Sequence, residues 1–192
     1  MSSGRDPARA GHRLPDAALQ AVRAAVTGIR RPLVLIDGPS GAGKSTFADL
    51  IVAAWPGRAP DLIRLDDVYP GWYGLERAVQ SLERSLVRPW LRSTPGRTQG
   101  WDWEADRPAV VTPLRPGNAL VIEGCGAHGT APDVRSAVRV RVDAPDAERR
   151  ERALTRDAGA FDPFWDVWDG QWRRYERRLG ATSAATIRVR MR

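Results

Sequence analysis

The chain has 192 residues, 42% hydrophobic and 28% charged, enough apolar material for one domain with a single sizeable core. No apolar run approaches the roughly 20 residues of a membrane span, the N-terminus lacks an apolar signal segment, and the single cysteine, Cys125, excludes an internal disulfide framework and a cysteine-based zinc cluster. The net charge of +7 is carried by arginine, because Lys44 is the only lysine; the arginines are spread along the chain, so a cytoplasmic protein without a membrane or nucleic-acid partner is expected.

Residues 1–14 carry Gly, Pro, Ser and Arg without periodicity and read as a mobile tail, with residues 15–192 as one domain. Asp16 is placed to N-cap a first helix, whose Leu19, Val22, Val26 and Ile29 share a face before Pro32 ends it. Leu33-Val34-Leu35-Ile36-Asp37 is a continuous apolar run, the pattern of a strand buried on both faces. Gly38 to Gly43 makes a turn, and Lys44 to Trp55 a helix with Phe47, Leu50, Ile51 and Ala54 inward. A second strand fits Leu62 to Leu65, followed by a loop from Asp66 to Gly74. Leu75 to Leu91 is helical, with Leu75, Val79, Leu82, Leu86 and Trp90 on one stripe and Pro89 kinking or ending its last turn.

From Arg92 to Gly117 the pattern breaks into Pro, Gly, Trp and charge, a stretch too long for an idle connection. Ala119–Ile122, Val138–Val142 and Thr186–Val189 are further strands, with helices near Ala147–Asp157 and Phe164–Leu179. This alternation predicts an α/β fold, a three-layer sandwich around a five-stranded parallel sheet.

Gly38-Pro39-Ser40-Gly41-Ala42-Gly43-Lys44-Ser45, followed by Thr46, fits the pattern G-x-x-x-x-G-K-[ST]. Glycines let backbone N–H groups converge on phosphate oxygens that a Cβ would obstruct. The helix that starts at Lys44 points its positive end at the same anion. Lys44 reaches the β- and γ-phosphates, and the Ser45 hydroxyl can ligate Mg²⁺. The site is therefore expected to hold ATP with Mg²⁺. With Lys44 the only lysine, the N-K-x-D motif of GTPases cannot exist, and the chain is short for a helicase or a transport ATPase core. A small-molecule kinase remains, and it needs an acid for the acceptor hydroxyl and cations around the γ-phosphate.

Those groups follow in order. Asp66-Asp67 ends the second strand, where a carboxylate faces the ligand crevice. Asp66 can accept the hydroxyl proton, and Asp67 can support Mg²⁺ or cap the loop. Glu123 ends the third strand and suits the Mg²⁺–water shell, or else caps a turn. Arg149, Arg152 and Arg156 fall at i, i+3 and i+7, on one helix face able to clamp phosphate; alternatively that face is solvated, with Glu148 and Arg152 paired.

This ordered set resembles the uridine kinase, phosphoribulokinase and pantothenate kinase superfamily of P-loop kinases. The resemblance rests on G-P-S-G-A-G-K-S-T, L-D-D-V-Y-P, V-I-E-G and the run from Val142 to Asp157. It implies that Asp66 takes the catalytic-carboxylate position and that residues near 146–160, with Arg149, Arg152, Arg156 and Asp157, form a helical lid. The chain departs from the nucleoside kinases at Y-D-x-x-x-H, where Trp101-Asp102-Trp103-Glu104-Ala105-Asp106 stands instead.

Eight tryptophans is a high count, and flat aromatic walls suit a ring-bearing acceptor. Tyr69, Tyr73, Trp101 and Trp103 are candidate walls, with Asp102 as a hydroxyl ligand. Trp165, Trp168 and Trp172 at helical spacing read as core. The expected protein is a monomeric or homodimeric ATP-dependent kinase of a small hydroxylated, nucleoside-like metabolite, with Lys44, Asp66, Glu123 and Arg152 catalytic. The competing reading is a nucleotide-binding regulatory or nucleic-acid-associated ATPase without such an acceptor.

Overall fold

The computed structural model describes residues 13–156, 159–179 and 187–191; the N-terminal segment 1–12, Asp157 and Thr186 lie outside it. In chain order the elements are α1 (Arg13–Val26), β1 (Leu33–Asp37), α2 (Lys44–Ala53), β2 (Asp61–Arg64), α3 (Leu75–Leu82), α4 (Arg88–Leu91), β3 (Gly96–Asp102), β4 (Arg107–Leu114), β5 (Leu120–Glu123), β6 (Val138–Asp143), α5 (Asp146–Arg156), α6 (Trp165–Leu179) and β7 (Ile187–Arg190).

A parallel sheet in the order β2-β5-β1-β6-β7 divides the core in two. Successive β1 side chains point to opposite faces. Leu33 and Leu35 join the cluster under α3, α4 and α6, while Val34 and Ile36 pack against α1 and α2. None of these four is more than 3% exposed, and burial of each contributes about 1.5–3 kcal/mol. The apolar run of β1 is therefore the consequence of a strand covered on both faces, and the chain is a three-layer α/β sandwich. Among the described residues no helix is long and apolar enough to cross a membrane.

Several boundaries shift for physical reasons. α1 begins at Arg13 and ends at Val26, so Asp16 lies in its first turn rather than at a cap, and Ile29 stands beyond the helix, 47% exposed. In α2, Ala48 is buried where Leu50 was expected; Leu50 is 41% exposed. Leu65 opens a short 3-10 turn with Asp66 and Asp67 instead of extending β2.

Between α3 and α4 the backbone widens into a π-helical turn at Glu83–Val87, directly before Pro89. Proline lacks the N–H of the helical ladder and its ring crowds the carbonyl four residues back; the wider turn accommodates both. All five apolar residues of the predicted stripe remain buried.

The stretch from Arg92 to Gly117 is an antiparallel hairpin of β3 and β4, which the sequence reading missed. Its β4 is exposed from Arg107 to Pro113, so no alternation of burial marks it, and Pro108 and Pro113 argue against a strand by composition. Gly96 is required where the hairpin meets the π-turn: a Cβ there would lie 3.0 Å from both the Ser85 carbonyl oxygen and Leu86 Cα.

Candidate active site

The loop after β1 and the first turn of α2 form a cradle of about 220 Å³ at the carboxyl ends of the strands. Gly41 adopts φ +74° and Gly43 φ +93°. Gly43 is the N-cap of α2 and offers no side-chain acceptor, so the orphan N–H groups of the first turn face the cradle. A Cβ on Gly41 would meet the Arg149 carbonyl oxygen at 1.8 Å, because α5 lies directly against the loop. The substitution Gly41→Ala is expected to lower both the melting temperature and nucleotide affinity; a variant with unchanged melting and binding would contradict this packing.

Lys44 is 8% exposed, and its Nζ donates to the Pro39 carbonyl at 2.8 Å and to Cys125 Sγ at 3.5 Å. Burial by itself pushes the Lys44 ammonium down, but Cys125, Asp66, Glu123 and Asp37 together hold it above its ordinary 10.5. It therefore stays a cation. Ser45 Oγ donates to Glu123 Oε1 at 3.0 Å, which joins the P-loop hydroxyl to the end of β5. Burial pushes the Glu123 carboxyl up, against the opposing pull of Lys44. Arg64 Nη1 approaches the same Oε1 at 3.4 Å. Mg²⁺ takes few protein ligands and fills its shell with water and phosphate, so a hydroxyl with one buried carboxylate suits it. The uncapped helix start and this pair fit a Mg-nucleotide.

Asp37, which the sequence reading placed only at a strand end, organises the floor of the site. It is 1% exposed. Its Oδ1 accepts from the N–H of Gly38 at 2.7 Å and Gly126 at 2.9 Å. Its Oδ2 accepts from the N–H of His128 at 2.8 Å and the Tyr175 hydroxyl at 3.1 Å. One carboxylate thus ties the P-loop, the loop after β5 and α6 together. The pairing of β1 with β5 brings the Gly126 and His128 donors to it.

His128 sits beside this hub, 3% exposed, with Nε2 at 3.1 Å from the Val140 carbonyl. Burial pushes its imidazole below the ordinary 6.5, although Asp37 opposes the shift. The fold thus favours the neutral ring, while the unfolded chain takes up a proton as the pH falls through about 6.5. The stability present above that pH is lost as it falls toward the folded value. The substitution His128→Gln should flatten the pH dependence of the melting temperature below pH 6.5; parallel profiles would contradict the assignment.

Arg152 and Arg156 border the cradle, with Arg152 Nη2 held by Glu148 Oε2 at 2.8 Å. Arg149 does not join them. It is 2% exposed; its Nε bonds Asp146 Oδ1 at 2.8 Å, its Nη2 lies 2.7 Å from Asp169 Oδ1, and its guanidinium lies over the Trp165 ring. Of the three arginines predicted to clamp phosphate, Arg152 and Arg156 thus border the cradle, whereas Arg149 joins α5 to α6.

A second cavity of about 540 Å³ adjoins the cradle, and Ser40, Asp66 and Arg156 border both. Asp66 Oδ2 lies 3.9 Å from Arg156 Nη1. Trp72 is the centre of the aromatic wall, nearly parallel to Phe161 and Phe164 at 5.0 and 4.7 Å and close to Trp103 at 4.8 Å. Trp103 Nε1 donates to the Asp66 carbonyl at 2.8 Å, so the hairpin tip is tied to the acid. Trp168, buried as predicted, lies edge-on to Tyr69 and also borders the cavity.

Of the other expected wall residues, only Tyr69 borders the cavity. Tyr69 lines the cavity but is buried, and its hydroxyl is spent on the Cys125 carbonyl at 2.7 Å. Tyr73 is 74% exposed and outside the lining. Trp101 sits in β3 outside the lining, and Asp102 Oδ1 accepts the Ala105 N–H at 3.0 Å to close the hairpin turn. Asp67 faces this cavity rather than the cradle, so it is not brought to Ser45 and Glu123. Among the described residues, no three of His, Cys, Asp and Glu gather as metal ligands. Phe161 and Phe164 escaped the sequence reading because their stacking on Trp72 joins the segment before α6 to a loop about 90 residues earlier in the chain.

Residues 34–161 match a family model described as "AAA domain". No curated protein matches the chain. Among solved structures, the chain resembles a protein from Bacillus stearothermophilus described as a possible uridine kinase, at TM-score 0.60 and 18% identity, covering 91% of this chain and 98% of that one. It also resembles a protein from Silicibacter sp. TM1040 described as a candidate fructose transport system kinase. That match has TM-score 0.53 and 19% identity, covering 92% and 97% of the two chains. The chain shares the fold of these two structures.

Proposed function

The chain belongs to the AAA domain family, and from that premise we propose that it is an ATP-dependent phosphotransferase acting on a hydroxyl of a small metabolite. The observation that carries this reading is the position of Asp66, on the border between the phosphate cradle and the aromatic cavity. A carboxylate there meets a hydroxyl held in one cavity and a phosphate held in the other.

In this reading the backbone of Gly38, Ser40, Gly41, Ala42, Gly43 and Thr46 cradles the phosphates of ATP, and Lys44 reaches the transferred group. Ser45 and Glu123 hold Mg²⁺, which when bound neutralises phosphate oxygens. Arg152 and Arg156 offset the charge that spreads over the moving phosphoryl group. Asp66 accepts the proton of the acceptor hydroxyl. The acceptor's hydroxyl oxygen forms the new bond to phosphorus as the bond from phosphorus to the ADP oxygen breaks. Trp103, Tyr69 and Trp72 wall the acceptor. Residues 15–192 act as one unit, with the segment 146–160 as a lid that excludes water from the transfer.

The test is the fate of the terminal phosphate. With ATP labelled at the γ-position and a panel of hydroxylated small molecules, label should leave in a phosphate monoester, identifiable by phosphorus NMR. Label released only as inorganic phosphate, with turnover stimulated by nucleic acid, would overturn the reading.

A further inference from the structure

The cavity beside Asp66 has a lining whose charge and hydrogen-bonding capacity are unequal. Its charged side chains are Asp66, Asp67 and Arg156, two carboxylates against one guanidinium. Arg156 is shared, since it lies 3.9 Å from Asp66 and borders the phosphate cradle as well. Partial burial first, and then the neighbouring Asp66, push the Asp67 carboxyl up, with Arg64 only a lesser opposing influence. A cation within the cavity relieves both pressures.

Two of the aromatic donors in the lining are committed. The Tyr69 hydroxyl is used by Cys125 and Trp103 Nε1 by the Asp66 backbone. Trp168 Nε1 finds no hydrogen-bond partner among the described residues, and a ligand oxygen would suit it. The described lining contains no Asn, Gln or His. A nucleobase edge alternates donors and acceptors and is read by such groups. An ammonium group needs only acceptors and ring faces, and carboxylates beside tryptophans provide both.

Building on the phosphotransferase reading, we infer that the acceptor is a hydroxylated ammonium compound, an amino alcohol or amino sugar, whose cationic group sits between Asp67 and the walls of Trp72 and Trp103 while its hydroxyl meets Asp66. Aromatic faces attract a desolvated cation strongly enough to favour it over a neutral isostere by about tenfold or more.

The experiment compares matched pairs by calorimetry and tryptophan fluorescence, without nucleotide. The pairs are choline with 3,3-dimethylbutan-1-ol and glucosamine with glucose, and uridine stands as the neutral nucleoside. The cationic member of at least one pair should bind about tenfold tighter or better, and Asp67→Asn should erase that preference while nucleotide affinity stays as in the parent. Equal binding within pairs, no binding of either cation, or tightest binding of uridine overturns the inference. ADP release with the same compounds separates the two claims. Asp66-dependent release driven by a neutral acceptor keeps the phosphotransferase and removes the cationic acceptor. Cation-selective binding that never stimulates release keeps the cavity chemistry and removes the phosphotransferase.

Discussion

The substitution Asp66→Asn is expected to reduce phosphorylation of the acceptor by about two to four orders of magnitude, the usual contribution of a positioned general base. Nucleotide affinity should change by no more than about threefold, because the Asp66 side chain is half-exposed at the border of the cradle and the P-loop backbone is the proposed holder of the phosphates. The amide keeps the shape and can still meet Arg156, so the loss reports the missing base rather than a collapsed wall. Titration calorimetry with a nonhydrolysable ATP analogue, set beside the transfer rate, separates the two effects. A parallel fall in affinity and rate would move Asp66 from catalysis to nucleotide binding.

Lys44→Ala should act on both. The ammonium is the buried cation facing Glu123, Cys125, Asp66 and Asp37. Removing one partner of a buried charge pair costs about 2–5 kcal/mol, so nucleotide affinity should fall by about two orders of magnitude and turnover with it. Glu123, 2% exposed, then loses its strongest opposing cation, and its carboxyl moves further up. Lys44→Arg should not restore activity, because a planar guanidinium does not fit where a compact ammonium bonds both the Pro39 carbonyl and the Cys125 sulfur. Full activity of the arginine variant would contradict that geometry.

The parts of this site that were legible in the sequence are those set by local pattern. β1 shows itself because both faces are buried, and the cradle because its glycines, its lysine and the following helix form one contiguous unit. Glu123 is legible because an apolar strand leads straight into it. The remainder depends on partners distant in sequence. Helical spacing puts Arg149 on the same face as Arg152 and Arg156, but Asp169 of α6 draws it into the core. Asp102 looks like a hydroxyl ligand until the hairpin turn claims it. Asp37 becomes a hub only once β5 lies beside β1. The hairpin itself has an exposed β4 and two prolines there, so neither periodicity nor composition announces it.

The central claim is that the cradle and the aromatic cavity form one transfer site joined at Asp66. The most direct measurement is ADP release from Mg-ATP, with and without a hydroxylated acceptor, for the parent protein beside Asp66→Asn. The account predicts release that rises with the acceptor in the parent and no longer responds to it in the variant. Acceptor-stimulated release of equal rate in both proteins would contradict it.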